Sequence, residues 1–362
     1  MDGLLQTASG DPIARHLTDY ASALARIQCL QLPDGAIPWF EDGPWDPWNH
    51  VEAAMALTAM GDTVSARRAY AYLNTQQRPD GAWLGDYGNA LPMVDRDFIS
   101  REPAPQFLDA NFCAYPAVGI THYLLATGDI EQVRQWWPMV AAAMRFVLLL
   151  QRRDGAFIWS QEARGTKDED ALLAGNACIA KSLECCIYLA RKLGEPADIW
   201  QAAYAALCQA LRYTPEVFDR RRSGERYAMD WYYPVLAGVL EPAQAHARLE
   251  AQWSRFVQAR RGCLCVSDQP WITVAESCEL ALALVSIGAR DRAATLLGDI
   301  ADIRDDRGVY WMGWQYEEAL VWPREQPAWT QGVVILAADA LYGLTAHSQL
   351  LVHCLLQAPQ YA

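Results

Sequence analysis

Basic residues are scarce in this 362-residue chain, where 30 Lys and Arg stand against 43 Asp and Glu for a net charge of −13. With a pI near 4.9, no basic face is available to neutralise phosphates, which excludes a nucleic-acid partner. Polyanionic substrates are disfavoured in the same way, except over a local basic pocket. Histidine is scarce too: there are six, none in ligand spacing. Cys263 and Cys265 stand two apart, no CxxC pair occurs, and no metal is expected. P-loop, GxGxxG, HExxH and G-x-S-x-G patterns are missing, so no cofactor is expected. No run reaches the ~18 apolar residues that span a bilayer, and LLQTASGDPIARHL at the start is too polar for a secretory core. The expectation is a soluble, cytoplasmic protein with no membrane partner. Its ten cysteines are then reduced and packed as small hydrophobes.

What is present is apolar and aromatic. Hydrophobic residues make up 52% and charged residues 20%, enough for a sizeable core. No linker or shift in composition divides the chain, so a single domain over 1–362 is expected. Fifteen Trp and sixteen Tyr occur, many in Pro- and Gly-flanked stretches: PWFEDGPWDPW, WYYP, QPWI, YWMGWQY and VWPREQPAW. Core aromatics sit inside periodic apolar runs, and these do not.

Helical periodicity fills residues 12 to 345, with helices expected at 12–30, 48–60, 63–77, 110–127, 131–151, 170–192, 196–212, 229–240, 242–258, 273–287, 290–303 and 327–345. A short helical tail is expected at 347–357, and β-like alternation is nearly absent. Two kinds of break alternate. Tight Gly turns (AMGDT, ATGDI, KLGEP, SIGAR) end apolar helices and open amphipathic ones. Longer breaks follow Q-x-x-D-G at Gln31–Gly35, Gln77–Gly81 and Gln151–Gly155, with echoes at Arg261–Gly262 and Arg307–Gly308. Helices after the long breaks are apolar on nearly every side, as a doubly covered inner layer requires; those after the Gly turns are amphipathic. Six such pairs predict an all-α (α/α)6 toroid, with an open helical solenoid as the alternative. The long 84–107 loop is expected to cover the cleft.

In a toroid the inner-helix starts share one mouth. They carry Asp46, Asn49, His50 and Glu52; Asp109, Asn111 and Tyr115; Asp168-Glu169-Asp170; Asp230, Trp231, Tyr232 and Tyr233; Asp268, Trp271 and Glu276; and Trp329. Together with Trp39, Trp48, Trp314 and Trp322 from the long breaks, the aromatic and polar members form the expected substrate-binding set. Each Asp reads equally as an N-cap, most strongly Asp46, which precedes Pro47. Glu276 lies inside its helix among apolar and small residues, where no cap is needed; Glu279 one turn on leaves a structural acid pair open. Two carboxyls across an aromatic mouth are the minimum equipment for glycosidic hydrolysis, and Trp and Tyr faces suit a neutral oligosaccharide. An isoprenoid cyclase or prenyltransferase is the alternative enzyme, but Asp168-Glu169-Asp170-Ala171 and Asp302-Ile303-Arg304-Asp305-Asp306 both miss the acidic patterns that chemistry uses. A carbohydrate-binding toroid without catalysis is the third reading.

AYLNTQQRPDGAW and MRFVLLLQRRDGAF resemble the QW repeats of squalene cyclases and prenyltransferases. A more specific resemblance is to the mycobacterial methylmannose polysaccharide hydrolases, which are α-endomannosidases. It runs through DGAIPWF, DPWNHVEAAMAL, DANFCAYPAVG, RYAMDWYYPVLAG, CVSDQPWITVAESCELALAL and VWPREQPAWTQGVVILAADAL, in order from residue 30 to 345. ALLAGNACIA departs from that family's serine-rich stretch. The resemblance implies a six-hairpin glycosidase fold, hydrolysis of an α-mannoside, and Asp46 with Glu276 as the catalytic pair. On that basis Glu276 is expected to be the general acid, because apolar flanks raise a carboxyl pKa. Asp46 is expected to be the base, and the reaction to invert.

Overall fold

The structure, a computed structural model, describes residues 19–88, 106–221 and 226–356. Helix α1 spans Ala21–Leu30. The first inner helix, α2 (Pro47–Ala59), runs into Gly61, whose left-handed φ of 83° turns the chain; Asp62 then caps α3 (Thr63–Gln76) by accepting the Ser65 N–H at 3.0 Å. The second pair repeats the device. Its inner helix breaks into α4 (Ala110–Ala114) and α5 (Pro116–Thr127), because Pro116 supplies no N–H to the ladder. Gly128 and the Asp129 cap then start α6 (Ile130–Leu148). Four further elements complete the next two hairpins: α7 (Leu173–Leu193), α8 (Asp198–Tyr213), α9 (Ala228–Leu236) and α10 (Pro242–Phe256). Then come α11 (Val274–Ser286), α12 (Arg290–Asp299) and α13 (Ala328–Tyr342).

Helices α2, α5, α7, α9, α11 and α13 pack each against the next, and α13 returns to α2. The inner ring is therefore closed, which is the toroid and not the open solenoid. Outer helices α3, α8, α10 and α12 lean on their inner partners, α6 packs against α4 and α5, and α1 covers α13 and α2. Inner helix α7 is long and apolar enough to cross a membrane by composition, yet 89% of that stretch is buried inside the ring. All ten cysteines are free thiols.

The Q-x-x-D-G breaks are one structural unit used three times. Gln31, Gln77 and Gln151 each donate through Nε2 to the glycine carbonyl of their own loop and to a carbonyl of the next outer helix: Ser65 at 2.9 Å, Met139 at 2.9 Å and Ala203 at 3.0 Å. Asp34, Asp80 and Asp154 accept the N–H two residues on. Gly81 takes φ 89°, and a Cβ there would sit 2.5 Å from the Ala142 carbonyl oxygen; only glycine fits that approach.

A second repeat was not legible in the sequence. The residue two past Gly35, Gly81, Gly155 and Gly308 donates its N–H to a side chain on the next inner helix: Ile37 to His50 Nδ1, Trp83 to Cys113 Sγ, Phe157 to Asn176 Oδ1 and Tyr310 to Gln331 Oε1. These latches fix the long loops to the mouth. Asn176 lies in ALLAGNACIA, so that departure places a loop latch there.

Several expectations need correction. Short strands of two or three residues do form, including Phe107–Asp109 (β1) against Ser160–Glu162 (β2) and Trp271–Thr273 (β3) against Gly313–Gln315 (β4). They are too short for alternation to register. The expected tail helix at 347–357 is a run of turns through residue 356. It is pinned to α7, where Lys181 Nζ donates to the His353 carbonyl at 2.7 Å and Glu184 accepts the Leu355 N–H at 2.6 Å. The start of the expected 12–30 helix and most of the 84–107 loop lie outside the described residues.

Candidate active site

Asp46 is the N-cap of α2 and only 1% exposed. Its Oδ1 accepts the Asn49 N–H at 2.9 Å, and its Oδ2 accepts Trp39 Nε1 at 2.7 Å and Asn49 Nδ2 at 2.5 Å. Burial pushes this carboxyl up to about 6, while those N–H donors pull against it. The Trp48 N–H also favours the ionised form. The capping role weighed for Asp46 is thus real.

Glu52, six residues further along α2, accepts Trp48 Nε1 at 3.1 Å and the Tyr115 hydroxyl at 3.4 Å. Burial raises it to about 8, with the Asp46 charge adding to the shift, so it carries a proton at neutral pH. Asp109 caps α4 through Oδ1, which accepts the N–H groups of Asn111 at 2.8 Å and Phe112 at 3.1 Å. Burial first, and then Asp46, lift it to about 7. The acids around Asp46 are therefore Glu52 and Asp109, each held partly neutral by enclosure.

Two places round the ring from α2, Glu276 and Glu279 occupy the first turns of α11. The sequence placed the apolar enclosure around Glu276; the structure places it around Glu279. Glu276 is half-buried and is hydrogen-bonded with the Cys265 thiol. Glu279 is buried and accepts both the Tyr232 and Tyr233 hydroxyls. Burial holds it well above the carboxylate range, with the charges of Glu52 and Glu276 contributing. A row of mutually felt carboxyls (Asp109, Asp46, Glu52, Glu279, Glu276) therefore crosses the inner helix starts. Beneath it lies a cavity of about 40 Å³ lined in part by Glu52, Tyr115, Tyr233 and Glu279, with Leu351 of the C-terminal turns closing it.

Three expected ligand contacts belong to the core instead. His50 is fully buried; its Nδ1 accepts from Ile37 and its Nε2 donates to the Ala69 carbonyl, while burial keeps the ring neutral with a pKa of about 4. Trp231 is 0% exposed, donates to the Arg248 carbonyl at 2.8 Å and stacks on Phe256. Tyr232 is equally buried and spends its hydroxyl on Glu279. Asp268 is exposed and ion-paired to Arg226 at 2.9 Å, on the rim.

Tyr115 and Tyr233 are buried, and the remaining expected Trp residues are half-buried. Trp39 meets Trp329 edge-to-face at 5.4 Å, and Trp48 meets Phe112, Tyr115 and Tyr233 at 5.7–6.0 Å. Trp271 and Trp322 form a second edge-to-face pair, tied by Trp271 Nε1 donating to the Trp322 carbonyl. Trp314 stands on the neighbouring strand under Arg261. Asp230 is buried and shares a cavity wall with Asp109, Asn111 and Trp48. Trp159 and Tyr227 also line that cavity and were not foreseen. Trp159 had a signal: it stands four residues after its repeat glycine, as Trp39 does. The acidic strings considered for isoprenoid chemistry are used otherwise, since Asp168 pairs with Arg221 at 3.0 Å and Asp170 accepts backbone N–H groups.

No family model matches the chain. It is 42% identical over 315 residues, 87% of its length and 84% of the relative's, to the MMP endo-(1,4)-3-O-methyl-alpha-D-mannosidase of Mycolicibacterium hassiacum. Among solved structures, a wild-type glycosidase superposes with a TM-score of 0.68 at 16% identity, covering 94% of this chain and 100% of the other. A GH63 mannosylglycerate hydrolase from Thermus thermophilus superposes with a TM-score of 0.68 at 14% identity, covering 88% and 99%. At those identities the two structures speak for the toroid alone, and the family rests on the mycobacterial relative. The chain belongs to the family of that mycobacterial endomannosidase and is a glycoside hydrolase.

Proposed function

We propose that this glycoside hydrolase cleaves an α-mannosidic bond in a neutral oligosaccharide with inversion, Asp46 acting as general base and Glu276 as general acid. The observation that carries the reading is the setting of Asp46. Both of its oxygens accept N–H groups at the mouth, which favours the ionised form that a base needs. A proton donor is then needed on the far side of the bond. We take Glu276, half-buried in the first turn of α11, as that donor, because its oxygens are not taken up by helix capping. The endomannosidase named above supports the mannoside.

The test is incubation of the purified protein with α-mannan oligosaccharides, followed by proton NMR of the first product formed. Release of the β-anomer supports inversion; the α-anomer shows retention. Asp46→Asn and Glu276→Gln, with helical circular dichroism intact, should each lose ~10²–10⁴-fold in rate. Full activity in either variant removes that residue from the pair.

A further inference from the structure

The end of the chain closes the ring on the side away from the mouth. Residues 344–356 form turns and bends, with no helix or strand, yet Leu350, Val352 and Leu355 are buried. Leu351 lies where the inner helices converge, sharing the cavity of about 40 Å³ with Glu52 of α2, Lys181 of α7, Leu236 of α9, Leu282 of α11 and Leu336 of α13. The segment is tied to three inner helices. Thr345 donates its N–H and hydroxyl to Asp339 of α13, at 2.8 and 2.7 Å. The buried Lys181–Glu184 pair of α7 takes the His353 carbonyl and the Leu355 N–H. Between these, His347 meets His122 of α5 edge-to-face, with ring centroids 4.5 Å apart. Both rings are buried, and His122 Nδ1 and His347 Nε2 have no hydrogen-bond partner in the protein.

A charged imidazole carries a proton on both nitrogens, and these two buried nitrogens find no acceptor for it. Burial lowers His347 to about 4 and holds His122 well below its ordinary value, where the charge of His347 adds to the effect. Asp339 works the other way, since burial raises it and acid favours its bound form. On α7, burial raises Cys185, and Lys181 is raised because Glu184 outweighs its burial, so both keep their protons in acid. His353, exposed on the segment, is lowered by partial burial and then by Lys181 and Arg290 of α12, in the same sense as the buried pair.

We propose that residues 344–356 are an acid-released plug, closing the ring beneath the carboxyl row at neutral pH and detaching as a unit when the His122–His347 contact takes up protons, with the ring left folded. Turns with few bonds open more readily than packed helices, which confines the event to the segment. Release admits water to the cavity that Glu52 and Glu279 line. A histidine depressed in the fold has no effect on stability above its free value, and it destabilises the closed form as pH falls below that value. For His347 alone, 6.5 against about 4 raises the open fraction about tenfold between pH 8 and pH 5.5. His122 adds to that.

The test is hydrogen exchange of the full chain, read by mass spectrometry at pH 8 and pH 5.5 and corrected for intrinsic rates. The lower pH stays above the pI near 4.9. In the wild type, amides of 344–356 should exchange about tenfold faster at pH 5.5, while those of α5 and α7 stay protected. His122→Phe/His347→Phe keeps both rings without either titration and should lose most of that step. His353→Asn, which alters the exposed histidine, should keep it. Equal protection of the segment at both pH values, or a joint loss from α5 and α7, overturns the proposal. So does a full step in His122→Phe/His347→Phe, or loss of the step in His353→Asn. If the double variant does not fold, NMR titration of the wild-type rings decides. Both should titrate well below 6.5, and values near 6.5 overturn the proposal.

Discussion

Trp39→Phe isolates one bond to Asp46. In the native site the indole N–H reaches Oδ2 at 2.7 Å and stabilises the ionised carboxyl against a burial that lifts it to about 6. A hydrogen bond to a charged group is worth ~1.5–3 kcal/mol, which corresponds to ~1–2 pH units at 1.36 kcal/mol each. Trp39 is half-buried, so entering water recovers part of this, and the lower end applies. Losing a donor to the ionised form makes the carboxyl hold its proton more tightly, so the sign is upward. The acidic limb of kcat/KM, which reports free-enzyme groups, should move from near pH 6 to near pH 7. Phenylalanine retains a ring against Trp329, and Trp329→Phe perturbs the same pair while keeping the bond to Asp46, so it should leave the limb in place. A Trp39→Phe limb that stays put, or moves to lower pH, refutes the claim that Asp46 is the ionised group required for turnover.

Two glycines should part company in thermal melts. Gly61→Ala costs only the ~1–2 kcal/mol of a left-handed residue, because nothing lies within 4 Å of the added carbon, whereas Gly81→Ala adds a backbone collision with Ala142 and should lower Tm more than twice as far. Glu52 holds its proton up to about pH 8 in the fold against an ordinary value of 4.5. The unfolded chain ionises first, so wild-type stability falls as pH rises through that window. Glu52→Gln should therefore gain in Tm relative to wild type between pH 5 and 8; a constant difference would mean that Glu52 is ionised in the fold. His50→Ala should lower Tm by removing the Ile37 latch and the bond to Ala69 while the pH profile keeps its shape; a shifted limb would return His50 to the chemistry.

The ring was legible because the two classes of break differ in chemistry. A glycine turn and a Q-x-x-D-G loop cannot be confused, and their alternation orders the layers. Which way an inner side chain faces was not legible. Helices apolar on every side have no polar phase to read, so Trp231, Tyr232 and Tyr233 looked equivalent. Only Tyr233 lines the described cavity under the mouth, while Trp231 turns outward onto Phe256. The same loss of phase exchanged Glu276 for Glu279 as the enclosed acid. His50 was misread because its partners, the Ile37 amide and the Ala69 carbonyl, are backbone groups set by the fold. Asp46 was correctly seen as a cap.

The assignment of Glu276 as acid and Asp46 as base is tested most directly by comparing an unactivated α-mannan oligosaccharide with dinitrophenyl α-mannoside, whose leaving group needs no proton. Glu276→Gln should lose ~10²–10⁴-fold on the oligosaccharide and stay within about tenfold of wild type on the activated substrate. Asp46→Asn should lose activity on both, because water must still be activated. Equal losses on both substrates for Glu276→Gln, or wild-type rates for Asp46→Asn, would contradict the account.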